Sequence, residues 1–341
     1  MSGAAPVRWG VLGVANIAVK KAIPGMQKSD LANVVAIASR DKNKARAAAE
    51  RLGIPRSYGS YEELLDDPEI EAIYNPLPNH LHVPWSIRAA ERGKHVLCEK
   101  PIALSADEAR ELLAVRDRTG VKIGEAFMVR THPQWLKAKQ LITTGRIGDL
   151  RLVTGHFSYY QRDPNDIRSR PEYGGGALMD IGCYPVFISR WMFDAEPVEV
   201  VSLMERDPDM RVDRMVSAML RFEAGQATFS CSTQIVPYQT MQMFGTTGRI
   251  SVEIPFNAPP DRPCRIFVDD GHDLTGGGSE TISFPPVDQY ALQADRFSEA
   301  VRGVGSVPVP LESAIKNMEV IDALFRSAET TMWEPLERLA V

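Results

Sequence analysis

The sequence predicts an α/β chain: a doubly wound parallel sheet in its first third, then an α+β region on an open, mostly antiparallel sheet. Short apolar runs alternate with helical patterns as far as residue 125, whereas longer strand-like runs divided by turns dominate beyond residue 149. A length of 341 residues also exceeds what one small core fills, so two domains are expected. We expect them at residues 1–125 and 126–341, with the last helix able to pack back on the first domain.

The apolar run 7–13 leads into a helical pattern over 17–28, and 33–39 reads as a buried strand. A helix over 41–52 opens on Asp41 as its N-cap and stops at Gly53. A short helix over 61–66, a strand over 71–75 and a helix over 82–92 closing at Gly93 follow. After the strand 94–98, Ser105 and Glu108 form a capping box for a helix over 105–119 that ends at Gly120, before a strand over 122–125. Beyond a helix over 132–144 the strands are expected at 150–160, 197–205, 214–222, 226–234, 239–245 and 249–254. Turns such as Glu223-Ala224-Gly225 and Thr246-Thr247-Gly248 divide them, and the stretches 255–263 and 271–279 read as loops. A helix over 176–193 interrupts the series, and helices over 287–303 and 311–327 close it. With helices on one face of this sheet, Val216, Ala218, Leu220 and Phe222 alternate on the other and call for a cover, which predicts a homodimer or larger.

The composition narrows the function. With 44% hydrophobic and 24% charged residues and a net charge of -5, the chain is ordinary for a soluble protein. Its Lys and Arg are scattered, which argues against a nucleic-acid partner. The start of the chain carries no export signal and no stretch has spanning length, so we expect a cytoplasmic protein with no membrane partner. Cys98, Cys183, Cys231 and Cys264 are far apart and read as reduced thiols; His80 and His82 complete no ligand cluster, so no metal is expected.

The first strand ends in Gly10-Val-Leu-Gly13-Val-Ala15-Asn-Ile-Ala18. Against the dinucleotide pattern G-x-G-x-x-G/A, Ala15 and Ala18 replace the second and third glycines, and a chance strand–turn–helix is the alternative. The place of this turn, first in an alternating chain, favours phosphate binding and a Rossmann domain. The second strand runs into Ser39-Arg40-Asp41, with Lys44 close behind. A hydroxyl and a guanidinium there suit the 2′-phosphate of NADP, since the acid Asp41 falls at the helix cap; the alternative is a solvated helix start. Glu99-Lys100-Pro101 stands at the carboxyl edge of the sheet, where such sheets bind ligands, although a surface lysine at a strand end is an equal reading. Farther on, Gly174-Gly175-Gly176 either passes close to a ligand or makes a sharp helix entry. Asp180 and Tyr184, four apart, share a helix face and suit a proton relay, or else form an ordinary amphipathic pair; Pro185 predicts a kink.

Together these segments resemble the glucose–fructose oxidoreductase / inositol dehydrogenase family over essentially the whole chain. The resemblance is carried by Trp9–Gly13 with Ala15–Ala18, Asn75-Pro-Leu-Pro-Asn79-His80, His95–Pro101, Glu125–Arg130 and Gly174–Tyr184. Tyr at 184, where inositol dehydrogenases carry His, is similar to the branch of dihydrodiol dehydrogenase, xylose dehydrogenases and aldose–aldose oxidoreductase. The resemblance implies NADP as cofactor, a sugar or cyclic-diol substrate, and association as a homodimer or homotetramer through the open face of the second sheet. It implies coenzyme contacts from Gly13, Ala15, Asn16, Ile17, Ser39, Arg40, Lys44, Asn75, Leu77, Asn79, His82, Glu99 and Lys100. It further implies that Lys100 precedes a cis proline and that Lys100, Asp180 and Tyr184 line the reaction site, with Arg130, Arg168 and Arg170 holding substrate hydroxyls.

Chemistry then assigns roles. Tyr184 is the general acid/base, Lys100 favours its phenolate and bonds the reacting oxygen, and Asp180 orients Lys100 or Tyr184. Two other readings stand beside this one: a glycosidase of the same fold using NAD for transient oxidation, and a non-catalytic NADP or sugar sensor.

Overall fold

The computed structural model describes residues 5–336; residues 1–4 and 337–341, the outer ends of the two expected domains, lie outside the described residues. The chain divides into two compact units, the first running to Thr131 and including Asp288–Ile315, the second comprising His132–Val287 and the chain from Lys316 onward.

The first unit is built on a six-stranded parallel sheet. Its strands are β1 (Val7–Leu12), β2 (Ala32–Ala38), β3 (Arg56–Tyr58), β4 (Ala72–Asn75), β5 (His95–Cys98) and β6 (Ile123–Glu125). They lie in the order β3-β2-β1-β4-β5-β6, so the direction of winding reverses between β1 and β4, the place where such sheets bind dinucleotides. Strand β3 was not expected: three half-buried residues give no apolar run to read.

The helices of this unit start and stop where their side chains dictate. A π turn (Ala18–Ala22) leads into α1 (Ile23–Met26). In α2 (Lys42–Leu52), the Asp41 carboxylate accepts from the N–H groups of Asn43 and Lys44, and Gly53 closes the helix at φ 67°. Next come α3 (Tyr61–Leu65), α4 (His82–Glu91) and α5 (Ala106–Thr119). Ser105 caps α5 through the Glu108 N–H, while the Glu108 carboxylate reaches back to the Leu104 N–H, one residue short of the reciprocal box. The segment returning from the end of the chain is Asp288–Ile315, with α8 (Gln289–Val301) and the start of α9 (Leu311–Thr330). It is welded in by Trp9, whose ring packs 5.5 Å from that of Phe297 and whose indole N–H donates to Ser298 Oγ at 3.2 Å.

The second unit carries α6 (Pro133–Thr143), α7 (Cys183–Phe193) and a nine-stranded sheet, β7 to β15. The strands are β7 (Leu150–Tyr160), β8 (Glu199–Arg206), β9 (Asp213–Arg221), β10 (Gln226–Ser232) and β11 (Gln234–Gly245). They continue as β12 (Arg249–Val252), β13 (Cys264–Asp269), β14 (Ser279–Phe284) and β15 (Glu334–Pro335). Only β10 and β7 pair in parallel; the other pairings are antiparallel. Three strands beyond the expected six, β13 to β15, extend the sheet; β14 and β15, at its edges, are exposed or half-exposed and give no clear alternation, whereas β13 alternates buried Cys264, Ile266 and Val268 with more exposed residues.

One expectation about this sheet is reversed. Val216, Ala218, Leu220 and Phe222 are 0 to 4% exposed and face inward, not outward. The row Val200, Leu220, Ala227, Val153, Met243 runs across five strands on this covered side. Phe222 stacks on Phe193 of α7 at 4.4 Å, and Ser202 bonds Leu324 and Ser327 of α9. The open face carries the other parity, Val201, Met219, Thr228, Thr154 and Gln242. Both parities of β9 contain apolar residues, and the helices lying on the sheet settle which is buried.

All four cysteines are free and buried. Among the described residues no helix is long and apolar enough to cross a membrane.

Candidate active site

The carboxyl edge of the first sheet gathers the expected coenzyme segments. Gly13 turns the chain at φ 84°, and a Cβ there would lie 2.9 Å from Leu77 Cδ2, so only glycine fits this turn. The following helix opens at Asn16, which is exposed, with Ala15 and Ile17 half-buried beside it. At the end of β2, Ser39 Oγ accepts from the Asp41 N–H at 3.2 Å, while the Asp41 carboxylate is spent on capping α2. Arg40 is exposed, and its positive charge lies near enough to the Tyr61 hydroxyl to act on it. That phenol is 5% exposed, is packed edge-on against Trp85 at 4.8 Å, and lies 3.6 Å from where a Gly13 Cβ would stand. Burial pushes the Tyr61 pKa up and the Arg40 charge pulls it back. Lys44 leans toward Asp41, 3.9 Å away.

Two of the expected coenzyme residues also brace the loop that carries them. Asn75 is fully buried; its amide donates to His82 O and Ser86 Oγ and accepts from the Leu77 N–H. His82 is 1% exposed, and its ring nitrogens lie 2.7 Å from the carbonyls of Pro101 and Leu77. Burial pulls its pKa down to about 4. Both side chains are therefore engaged in tying the loop 75–79 to the chain after Lys100, because polar atoms this deep must be satisfied inside the protein. Asn79 opens a short 3-10 turn above them, half-buried. Glu99 accepts from the Tyr74 hydroxyl at 2.6 Å and from the Lys100 N–H at 3.3 Å. Lys100 is half-buried at the rim of β5, and the Lys100–Pro101 peptide is cis. Arg130 sits on the 3-10 turn Met128–Thr131, where burial lowers its pKa.

The second unit holds the other expected residues. Asp180 lies on a π turn (Leu178–Gly182) that runs directly into α7, in which Tyr184 precedes Pro185. The helix regularity is broken by this wide turn just before the proline, which has no N–H to give the preceding turn. The glycine run is a sharp entry to the turn. Gly176 has φ 113°, and a Cβ there would run into Asp213 Oδ1; one at Gly175 would meet the Arg168 carbonyl. Asp213, fully buried, accepts from the Leu178 N–H at 2.6 Å. Desolvation nevertheless pushes its carboxyl up to about 7. Gly182 allows the turn to sit against Cys231 of β10.

Asp180 is tightly engaged. Its Oδ2 accepts from the Tyr159 hydroxyl at 2.5 Å and from Arg168 Nε at 3.1 Å. Tyr184 is 5% exposed, packed against Phe157 at 6.0 Å and Phe256 at 5.3 Å. Arg170 is turned aside, 5.6 Å over Tyr173 and 3.6 Å from Glu172. Tyr61, Tyr159 and Asp213 escaped the sequence reading. Each acts through a neighbour distant in the chain, and only Tyr159, an aromatic at a strand end, left any local signal.

This arrangement suits a dinucleotide on the first unit and proton chemistry on the second. The model of the oxidoreductase family with an NAD-binding Rossmann fold matches residues 7–127, and that of the GFO/IDH/MocA C-terminal domain matches residues 135–251. An oxidoreductase of Rhizobium meliloti is 50% identical, covering 96% of this chain and 98% of its own. A D-xylose 1-dehydrogenase (NADP(+)) of Haloferax volcanii is 39% identical over 94% of this chain and 97% of its own. A solved 3-ketoreductase from Actinomadura kijaniata, in complex with NADP and TDP-benzene, is 30% identical with a TM-score of 0.86, covering 94% of this chain and 98% of that one. Fold, site segments and similarity agree over nearly the full length, and the chain belongs to the GFO/IDH/MocA family of oxidoreductases, the glucose–fructose oxidoreductase / inositol dehydrogenase family.

Proposed function

We propose that the chain is an NADP-dependent sugar oxidoreductase, acting on a CH–OH or carbonyl carbon of an aldose-type sugar or cyclic polyol. The observation that carries this reading is the end of β2, where the exposed Arg40 stands beside Ser39 while the carboxylate of Asp41 is engaged in a helix cap. A 2′-phosphate fits such a pair, whereas a ribose diol calls for a carboxylate. The dehydrogenase and ketoreductase relatives, one named for NADP and the other solved with it, support the same coenzyme. Gly13 leaves the β1 turn open for a pyrophosphate, so the residues present fit the dinucleotide.

When bound, NADP supplies the hydride acceptor or donor. Tyr184 takes the proton of the substrate hydroxyl during oxidation and returns it during reduction. A free phenol has a pKa near ~10, so it needs help at neutral pH. Lys100 supplies it as a cation that favours the phenolate and hydrogen-bonds the reacting oxygen. Asp180 keeps these groups oriented. In this reading Arg130 meets substrate hydroxyls.

The test is NADP or NAD with a panel of aldoses including D-xylose, followed at the nicotinamide absorbance band. We expect turnover with NADP, loss of turnover in Lys100→Met with coenzyme affinity within a few-fold, and at least ~10²-fold lower kcat in Tyr184→Phe. Near-wild-type rates in either variant would overturn the assigned roles. Sugar release from a glycoside with no net change in coenzyme would favour the glycosidase reading instead.

A further inference from the structure

Three elements distant in sequence converge on one carboxylate oxygen. Tyr159 comes from the end of β7, Arg168 from the 3-10 turn Ile167–Ser169, and Asp180 from the π turn before α7. Oδ2 of Asp180 takes the Tyr159 hydroxyl at 2.5 Å and Arg168 Nε at 3.1 Å. Arg168 is itself fixed: Asp166 Oδ1 accepts from its Nη1 at 3.3 Å and from its main-chain N–H at 2.8 Å. Behind the turn stand Asp213, Cys183 and Cys231, and burial holds the Cys231 thiol neutral, far above its usual pKa. Burial and the Asp180 charge push the Tyr159 phenol far above its usual pKa, and the Asp180 charge raises that of Arg168. Neither donor titrates near neutral pH. Both remain donors throughout a reaction cycle, and an ionised acceptor makes such bonds strong and directional.

We propose that Tyr159 and Arg168 are positioning residues, which hold Asp180 as an oriented, permanently ionised carboxylate so that it supports proton exchange at Tyr184 without taking the proton itself. This rests on the reading of Asp180 as part of the reaction centre. It separates two tyrosines by role: Tyr159 is a fixed donor, and Tyr184 exchanges the proton. It also moves Arg168 from holding substrate hydroxyls to holding the carboxylate.

The experiment compares pH profiles of kcat for wild type, Tyr159→Phe, Arg168→Lys, Arg168→Ala and Asp180→Asn, with NADP and D-xylose or the most active aldose of the panel. Isotope-labelled aspartate resonances follow the Asp180 carboxyl without turnover. Removing one donor makes the carboxylate easier to protonate. Tyr159→Phe should therefore lose about tenfold in kcat, shift its acid limb and the Asp180 titration upward by about one pH unit, and leave NADP affinity unchanged. Arg168→Lys should recover part of what Arg168→Ala loses. A Tyr159→Phe protein whose kcat, acid limb and Asp180 titration match wild type overturns the clamp. If Asp180→Asn turns over like wild type, Asp180 is not in the reaction centre and the reading beneath the clamp fails with it. An inactive Asp180→Asn beside an unchanged Tyr159→Phe overturns the clamp alone.

Discussion

Arg40 is an exposed side chain beside the buried Tyr61. Its charge acts on the Tyr61 hydroxyl, which packs beside the Gly13 turn, so the guanidinium stands at the sheet edge near that turn. We expect Arg40→Ala to weaken NADP by about 10- to 100-fold, the value of one charge-assisted hydrogen bond, and NAD far less. Comparing kcat/KM for both coenzymes in both proteins checks this, and equal losses for the two would remove the phosphate role from Arg40. Lys44 contributes less, since it is 73% exposed and already leans on Asp41. Arg40 itself was legible because a strand end followed by a capped helix places it. Tyr61 was not, because nothing in a linear pattern says that a residue beyond α2 and β3 returns beneath that guanidinium.

The π turn and α7 show what a glycine run is for. Gly176 combines a backbone conformation that other residues avoid with a contact that admits no Cβ, against the carboxylate that anchors the Leu178 N–H. Gly145, by contrast, has φ 74° and nothing within 4 Å of a Cβ position. Gly145→Ala should therefore cost only the left-handed penalty, about 1–2 kcal/mol. Gly176→Ala adds strain and displaces Asp213, for about 3 kcal/mol or more in total. Chemical denaturation of the two variants tests the difference. Equal losses would show that the Asp213 contact relaxes at no cost. The motif Gly174-Gly175-Gly176 was legible as special backbone, but its two readings, ligand approach or helix entry, could be separated only once Asp213 and the Arg168 carbonyl were seen against it.

For the assembled molecule, the open face of the second sheet matters most. It carries Val201, Leu203 at 78% exposure and Met219 at 39% around a shallow groove bordered by Ser217, Thr228 and Ser230. Leu203 and Met219 stand exposed together on this mostly polar face and favour a cover. We expect a homodimer or larger by light scattering at micromolar concentration. Leu203→Glu together with Met219→Lys should shift it toward monomer with the folded chain's far-UV spectrum unchanged and a melting temperature no higher than that of the wild type. A wild-type monomer would contradict the expectation.

The alternation of short strands and helices, the capped helix ends and the glycine turn after β1 could all be read from the chain. They follow from local periodicity and local hydrogen bonding, which a linear pattern preserves. The elements that carry Lys100, Asp180 and Tyr184 were legible for the same reason, the end of a short strand and the start of a helix. Other features depended on packing. Which parity of β9 is buried, the bracing of the loop after β4 by Asn75 and His82, and the return of Asp288–Ile315 to the first unit all required the folded chain. So did the clamp on Asp180. In each case two rows or two roles are equivalent along the chain, and the choice between them belongs to partners far apart in sequence. Buried polar atoms must find donors and acceptors wherever the fold brings them, and no local pattern encodes that address.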